Sequence, residues 1–155
     1  MSRKFKVISN ILVSLALFAG LFGCAAGGGK TKVGLSFSDF ATERWKNEEI
    51  LMKQLLEDKG YEVLSQQADH DVKLQNDQID NMVAQGAKAI IIIAEDGDAA
   101  ATAASKAAKE GVIIIAYDRL IKSPDIAAYL SFNNVEVGRQ QALGVIQGLV
   151  CRRKW

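Results

Sequence analysis

The chain has 155 residues, 49% of them hydrophobic, and its 19 basic side chains nearly balance 18 acidic ones. That length supports one domain around a single core, and the even balance excludes the basic footprint of a nucleic-acid-binding protein. Arg3, Lys4 and Lys6 stand in residues 1–23 without any acid; taking their +3 from the net +1 leaves −2 for residues 24–155, a mildly acidic remainder.

The chain opens on a targeting segment. "MSRKFK" is a basic start, and "VISNILVSLALFAGLF" is an apolar stretch of about 16 residues, short for a membrane span and interrupted by Ser9, Asn10 and Ser14. "LFGC" then resembles a bacterial lipobox. On that reading residues 1–23 are a lipoprotein signal peptide, Cys24 becomes a lipidated N-terminus, and residues 24–30, with "AAGGG", form a flexible tether. An ordinary secretory signal, or an uncleaved anchor with an incidental cysteine, would use the same features. A lipidated Cys24 cannot pair with Cys151, so no intrachain disulfide is expected.

From residue 31 onward, apolar runs alternate with helical periodicity. "KVGLSF" (32–37) reads as a strand, and 42–60 as a helix with Trp45, Met52, Leu55 and Leu56 at helical spacing and Lys59-Gly60 as its stop. "YEVLSQ" (61–66) is a second strand. The lone histidine follows in "QQADHD"; one His beside two Asp reads as a solvated loop and not as a metal site. Asp71 can cap a helix over 72–85, ended by Gly86. "AIIIIA" (89–94) is a third strand whose continuous apolar run suits burial on both faces. An Ala-rich helix over 98–111 has small side chains that let it lie close to a sheet. "VIIIAY" (112–117) is a fourth strand, "LIKSPD" a loop, and "IAAYLSF" (126–132) a fifth strand. Asn134 can cap a last helix over about 135–149. The alternation predicts an α/β fold: a three-layer αβα, Rossmann-like lobe with a parallel sheet of about five strands.

Ligands of such sheets bind beyond the C-terminal ends of the strands. The residues there are Ser38, Asp39 and Phe40, then Gln67 and Asp69, Glu95 and Asp96, Asp118 and Arg119, and Asn133. No glycine cradle for phosphate follows the first strand, and the single His70 makes a nucleophilic triad untenable, so the chain does not read as an enzyme or a nucleotide binder. No cofactor is expected. Acids, arginines and aromatics together suit a neutral polyol: carboxylates accept from hydroxyls, guanidinium donates a fixed fork, and aromatic faces cover C–H patches. An adjacent Asp118-Arg119 pair would partly neutralise itself, easing its burial against an uncharged ligand.

"KVGLSFSDFATERW", "AKAIIIIAEDG", "GVIIIAYDRLI" and "YLSFNNVEVGRQQA" resemble the first lobe of periplasmic sugar-binding proteins of ABC importers, most closely the D-xylose-binding subfamily. The likeness covers about residues 31–149 and implies a type I periplasmic-binding-protein lobe. It places sugar contacts on Arg44 of "ERW" and on Asp118 and Arg119 of "YDR", with Asp39 and Phe40 as further contacts in the first loop. The family usually shows Asp where Asn133 stands, so Asn133 is as well read as a loop or cap residue. Trp45 is either packed on the sheet or a stacking platform, and Tyr117 is read as packing. The resemblance implies a monosaccharide ligand, ABC permease subunits as partners, and a protein outside the cytoplasm held to the membrane through Cys24. A sensor module that docks on a membrane histidine kinase or chemoreceptor would carry the same rim. Residues 150–155 show no strand pattern and read as an aberrant or truncated tail after one lobe of a normally two-lobed protein, which alone would leave a sugar half-solvated.

Overall fold

A computed structural model describes residues 29–152; the signal segment, Cys24 and most of the tether lie outside the described residues, as do residues 153–155. The apolar runs become strands β1 (Lys32–Phe37), β2 (Glu62–Gln67), β3 (Ala89–Ile92), β4 (Ile113–Tyr117) and β5 (Ala128–Leu130). Between and after them lie helices α1 (Glu43–Asp58), α2 (Val72–Ala84), α3 (Ala100–Lys109) and α4 (Asn134–Arg152). All strands pair in parallel, in the order β2-β1-β3-β4-β5. The α/β lobe expected from the alternation is the fold observed.

Alternate side chains of the central strands go to opposite faces. Ile90, Ile92, Ile114 and Ala116 meet Ile79 and Met82 of α2 and Ala100, Ala103, Ala104 and Ala107 of α3. The small alanines allow that close approach, as their run suggested. On the other face Leu35, Phe37 and Ile93 pack with Trp45, and Met52 and Leu56 of α1 lie against them. Leu55, grouped with these in the helical pattern, is instead 51% exposed. The helix stops at Gly60 and Gly111 are as read: both have φ of +88°, which glycine adopts without a Cβ penalty. Asp71 caps α2, accepting from the Leu74 N–H at 2.9 Å.

Three expectations are corrected. β5 is three residues long, not seven, and exposed throughout, because it is the edge of the sheet and among the described residues it pairs with β4 alone. The cap of α4 is Asn133, whose Oδ1 accepts from the Glu136 N–H at 3.1 Å; Asn134, the expected cap, is the first helical residue. Finally, α4 does not join a layer. It continues past 149, and Val135, Val145, Ile146, Leu149 and Val150 all remain exposed on it. The face of the sheet under α1 is correspondingly open beyond β1, where Ile113 is 55% exposed. None of the helices among the described residues is long and apolar enough to cross a membrane.

Candidate functional site

Parallel pairing brings the ends of β1, β3 and β4 to one rim, and each ends in a polar loop. At the tip of β1 the Asp39 side chain turns inward and is fully buried. Its Oδ2 accepts from the Ser38 hydroxyl at 2.9 Å and its Oδ1 from the Thr42 N–H at 2.8 Å, which braces the entry into α1. Burial pushes its pKa up, but the Thr42 and Ser38 hydrogen bonds outweigh that and hold it below the usual carboxylate value. Phe40, half-buried in the same loop, rests against Phe37 with ring centroids 5.4 Å apart.

The first turn of α1 then delivers Arg44 to the rim. Its Nε donates to Glu48 Oε1 at 2.7 Å and its Nη1 to Asp118 Oδ1 at 3.0 Å. Its guanidinium carbon lies 4.3 Å from the Trp45 ring centroid and 5.0 Å from that of Phe132, so aromatic groups flank the cation. Burial opposes its charge, yet the bonds to Glu48 and Asp118 prevail and raise its pKa still further. Trp45 is a core residue, 3% exposed, and only its surface under Arg44 relates to the site. Burial, and next the Glu48 charge, push the Tyr117 phenol up.

The tip of β4 carries backbone in the left-handed region: Asp118 has φ of +64°, uncommon for a residue with a Cβ. The neighbouring segments impose it. Asp118 N–H donates to Leu130 O at 2.7 Å, and its carbonyl accepts from Tyr129 Oη at 3.0 Å and Ser131 Oγ at 3.3 Å. Arg119 N–H turns back to Tyr117 O at 2.8 Å, closing a γ-type turn around Asp118. The consequence corrects the reading of Asp118 and Arg119 as a self-neutralising pair. Asp118 bonds Arg44, while Arg119 Nη1 reaches the tip of β3, donating to Ala94 O at 2.9 Å and approaching Glu95 Oε2 at 3.4 Å. Beside Asp118 a hollow of about 110 Å³ is lined by Tyr117, Asp118, Leu130, Ser131 and Phe132.

His70 stays exposed in its loop, as read, and also makes contacts there. Its Nδ1 is 3.2 Å from Glu95 Oε2 and its Nε2 3.8 Å from Asp39 Oδ1. These three residues could in principle present ligand atoms to a cation, since the atoms lie within 4.8 Å of one another. The Asp39 oxygens, however, are already engaged, Arg119 faces the same Glu95 oxygen, and the two carboxylates approach different ring nitrogens. That donor set suits a hydrogen-bonded cluster better than a metal.

Sequence reasoning missed two supports. Gln75 is 1% exposed; its Nε2 donates to Ile93 O at 3.0 Å and Ser36 Oγ at 3.2 Å, and its Oε1 accepts from Glu95 N–H at 2.8 Å. A glutamine in helical register with Ile79 and Met82 was the available sign. Gly97 was the other: a Cβ there would lie 2.0 Å from Leu120 O, so only glycine lets the loop after β3 meet the loop after β4.

A parallel lobe with arginines and carboxylates converging beyond its strand ends is the architecture of a solute-binding domain. The chain belongs to the periplasmic binding protein domain family, whose model matches residues 33–150. It is 34% identical over 139 residues to the D-xylose-binding periplasmic protein of Haemophilus influenzae, covering 90% of this chain and 42% of that protein. It is 33% identical over 146 residues to the multiple sugar-binding periplasmic receptor ChvE of Rhizobium radiobacter, covering 93% of this chain and 41% of that one. Among solved structures, an ABC transporter solute-binding protein from Clostridium phytofermentans with bound β-D-glucose superposes with a TM-score of 0.74 at 36% identity, over 79% of this chain and 38% of the other. The chain thus spans about two fifths of the length of the relatives it matches.

Proposed function

We propose that this chain forms the first lobe of a sugar-binding lipoprotein that captures a monosaccharide, D-xylose or a related sugar, outside the cytoplasm for delivery to an ABC permease. The observation that carries this reading is the rim itself. Arg44 is held between two acids and flanked by aromatic rings, beside a hollow of sugar-ring scale whose wall includes Asp118. Xylose- and multiple-sugar-binding proteins matching about nine tenths of the chain support it. In this reading Arg44 and Arg119 donate to sugar hydroxyls and Asp118 accepts from them. Phe40 lines the approach, and Asp39 contributes by fixing the loop that carries Phe40 and Arg44. Cys24 carries the membrane anchor; one acyl chain binds a bilayer only marginally, whereas two or three hold firmly.

The test is an NMR titration of the chain with D-xylose, D-glucose and a non-sugar polyanion. One lobe offers a half-solvated site, so saturable sugar shifts at the rim with a Kd of about 1 mM or weaker, roughly 4 kcal/mol, are expected. Absence of any saturable sugar shift, or preference for the polyanion, would overturn the reading. For the anchor, mass spectrometry of membrane fractions should find a diacylglyceryl mass on an N-terminal Cys24 peptide. A product cleaved elsewhere and unaffected by Cys24→Ala would rule it out.

A further inference from the structure

Glu48 belongs neither to the "ERW" nor to the "YDR" motif, yet it occupies an unusual position. It lies one helical turn after Arg44 on α1 and takes the Arg44 Nε–H at 2.7 Å, while Asp118 takes only Nη1. Its side chain is 22% exposed, and its second oxygen, Oε2, is buried without a hydrogen-bond partner among the described residues, as is Arg44 Nη2. A surface i, i+4 pair kept for helix stability would leave both groups in water. Here a carboxylate has been drawn in beside a guanidinium that already has another acid to bond.

We infer that Glu48 is a positioning residue for the sugar site: it holds Arg44 by its Nε edge so that Asp118 receives a single hydrogen bond and keeps Oδ2 free as an acceptor. An arginine and a lone carboxylate tend to close into a bidentate fork, which uses both carboxylate oxygens. Such a fork at Asp118 would occupy the acceptors a sugar hydroxyl needs. Glu48 competes for the same cation from the α1 side, and Trp45 and Phe132 flank the guanidinium. The three side chains carry −1, +1 and −1, so the triad retains one negative charge facing hydroxyl donors. Asp118 Oδ2 has no hydrogen-bond partner among the described residues, as this division of labour requires.

This inference rests on the sugar-site reading, and the experiment separates the two. In the full chain, Glu48→Ala and Glu48→Gln are compared with wild type by the Arg44 Nε–Hε NMR signal, by D-xylose and D-glucose titration, and by Tm. Gln keeps an acceptor for Nε–H and should retain the wild-type Arg44 signal, with affinity within about threefold; Ala should shift that signal and weaken sugar binding about tenfold, the scale of one charged hydrogen bond. Tm should fall by a few degrees in Glu48→Ala and by less in Glu48→Gln, since the half-buried guanidinium keeps Asp118 as a partner in both. An unchanged Arg44 signal in Glu48→Ala overturns the positioning role whatever the sugars do. A changed signal with wild-type sugar affinity overturns it as well. If wild type binds no sugar at all, the sugar reading fails and takes the specificity claim with it, while the Arg44 signal still reports whether Glu48 orients the guanidinium.

Discussion

Asp39 and Asp118 hold equivalent places in the chain's pattern, each just beyond the end of a buried parallel strand, and they do opposite things. Asp39 is fully buried, both oxygens are taken by Ser38 and Thr42, and it closes the turn into α1. Asp118 is 22% exposed in its side chain, spends one oxygen on Arg44, and sits on backbone with φ of +64° that β5 and the residues after it enforce. The tip of β1 is satisfied within the fold, whereas the tip of β4 leaves one carboxylate oxygen without a hydrogen bond among the described residues. Strain kept at the second tip and absent from the first is the pattern expected where a ligand will complete the set of contacts.

The largest effect should come from breaking the satisfied tip. Asp39→Ala strands the buried Ser38 hydroxyl and takes away the acceptor of the Thr42 N–H at the start of α1, and chemical denaturation should show a loss of about 2 kcal/mol. A loss below about 0.5 kcal/mol, the level of an ordinary surface change, would make the two aspartates equivalent after all. The same residue sets a pH dependence. Its folded pKa lies below the unfolded value of 3.8, so its carboxylate stabilises the fold above that value, and this contribution disappears as pH falls through the lower folded pKa. The stability gap between wild type and Asp39→Ala should therefore narrow on acidification below about pH 4 and stay level from about pH 5 to 7. A gap that widened in acid would reverse the sign.

Breaking the tip of β4 should act on ligand more than on the fold. Asp118→Ala should weaken sugar binding about tenfold, near 1.4 kcal/mol, with Tm lowered by only a few degrees, since Ala tolerates the imposed positive φ less well than Asp and the half-exposed bond to Arg44 is lost. Arg119→Ala should weaken binding similarly but also cost some stability, since Arg119 ties the tips of β3 and β4 through Ala94 O. If Asp118→Ala melts much earlier and binds normally, its pair with Arg44 is a structural latch. The smallest effect should come from Asn133→Ala. It removes one cap from a helix whose apolar side chains stay exposed among the described residues, so circular dichroism should show fraying of α4 and about 1 kcal/mol or less in stability.

The sequence by itself determined the order and type of every element up to α4, because those signals are local. "AIIIIA" and "VIIIAY" state burial in their own composition, the alanines of α3 state close packing, and Gly60, Gly86 and Gly111 state where helices stop. It also brought Arg44, Asp118 and Arg119 to one rim, since strand ends in a parallel sheet share an edge. Only the tertiary structure decided the partners. Asp118 chose Arg44, 74 residues away, over its neighbour Arg119, because the positive-φ turn sends adjacent side chains apart. Arg119, His70 and Glu95 met through three different loops, and Gln75 reached the tip of β3 from inside α2. Hydrogen bonds and ion pairs depend on ångström distances between loops whose separation along the chain carries no periodic mark. Burial repeats with the period of its helix or strand, and that is why the sheet could be read from the letters while the side-chain pairings at its rim could not.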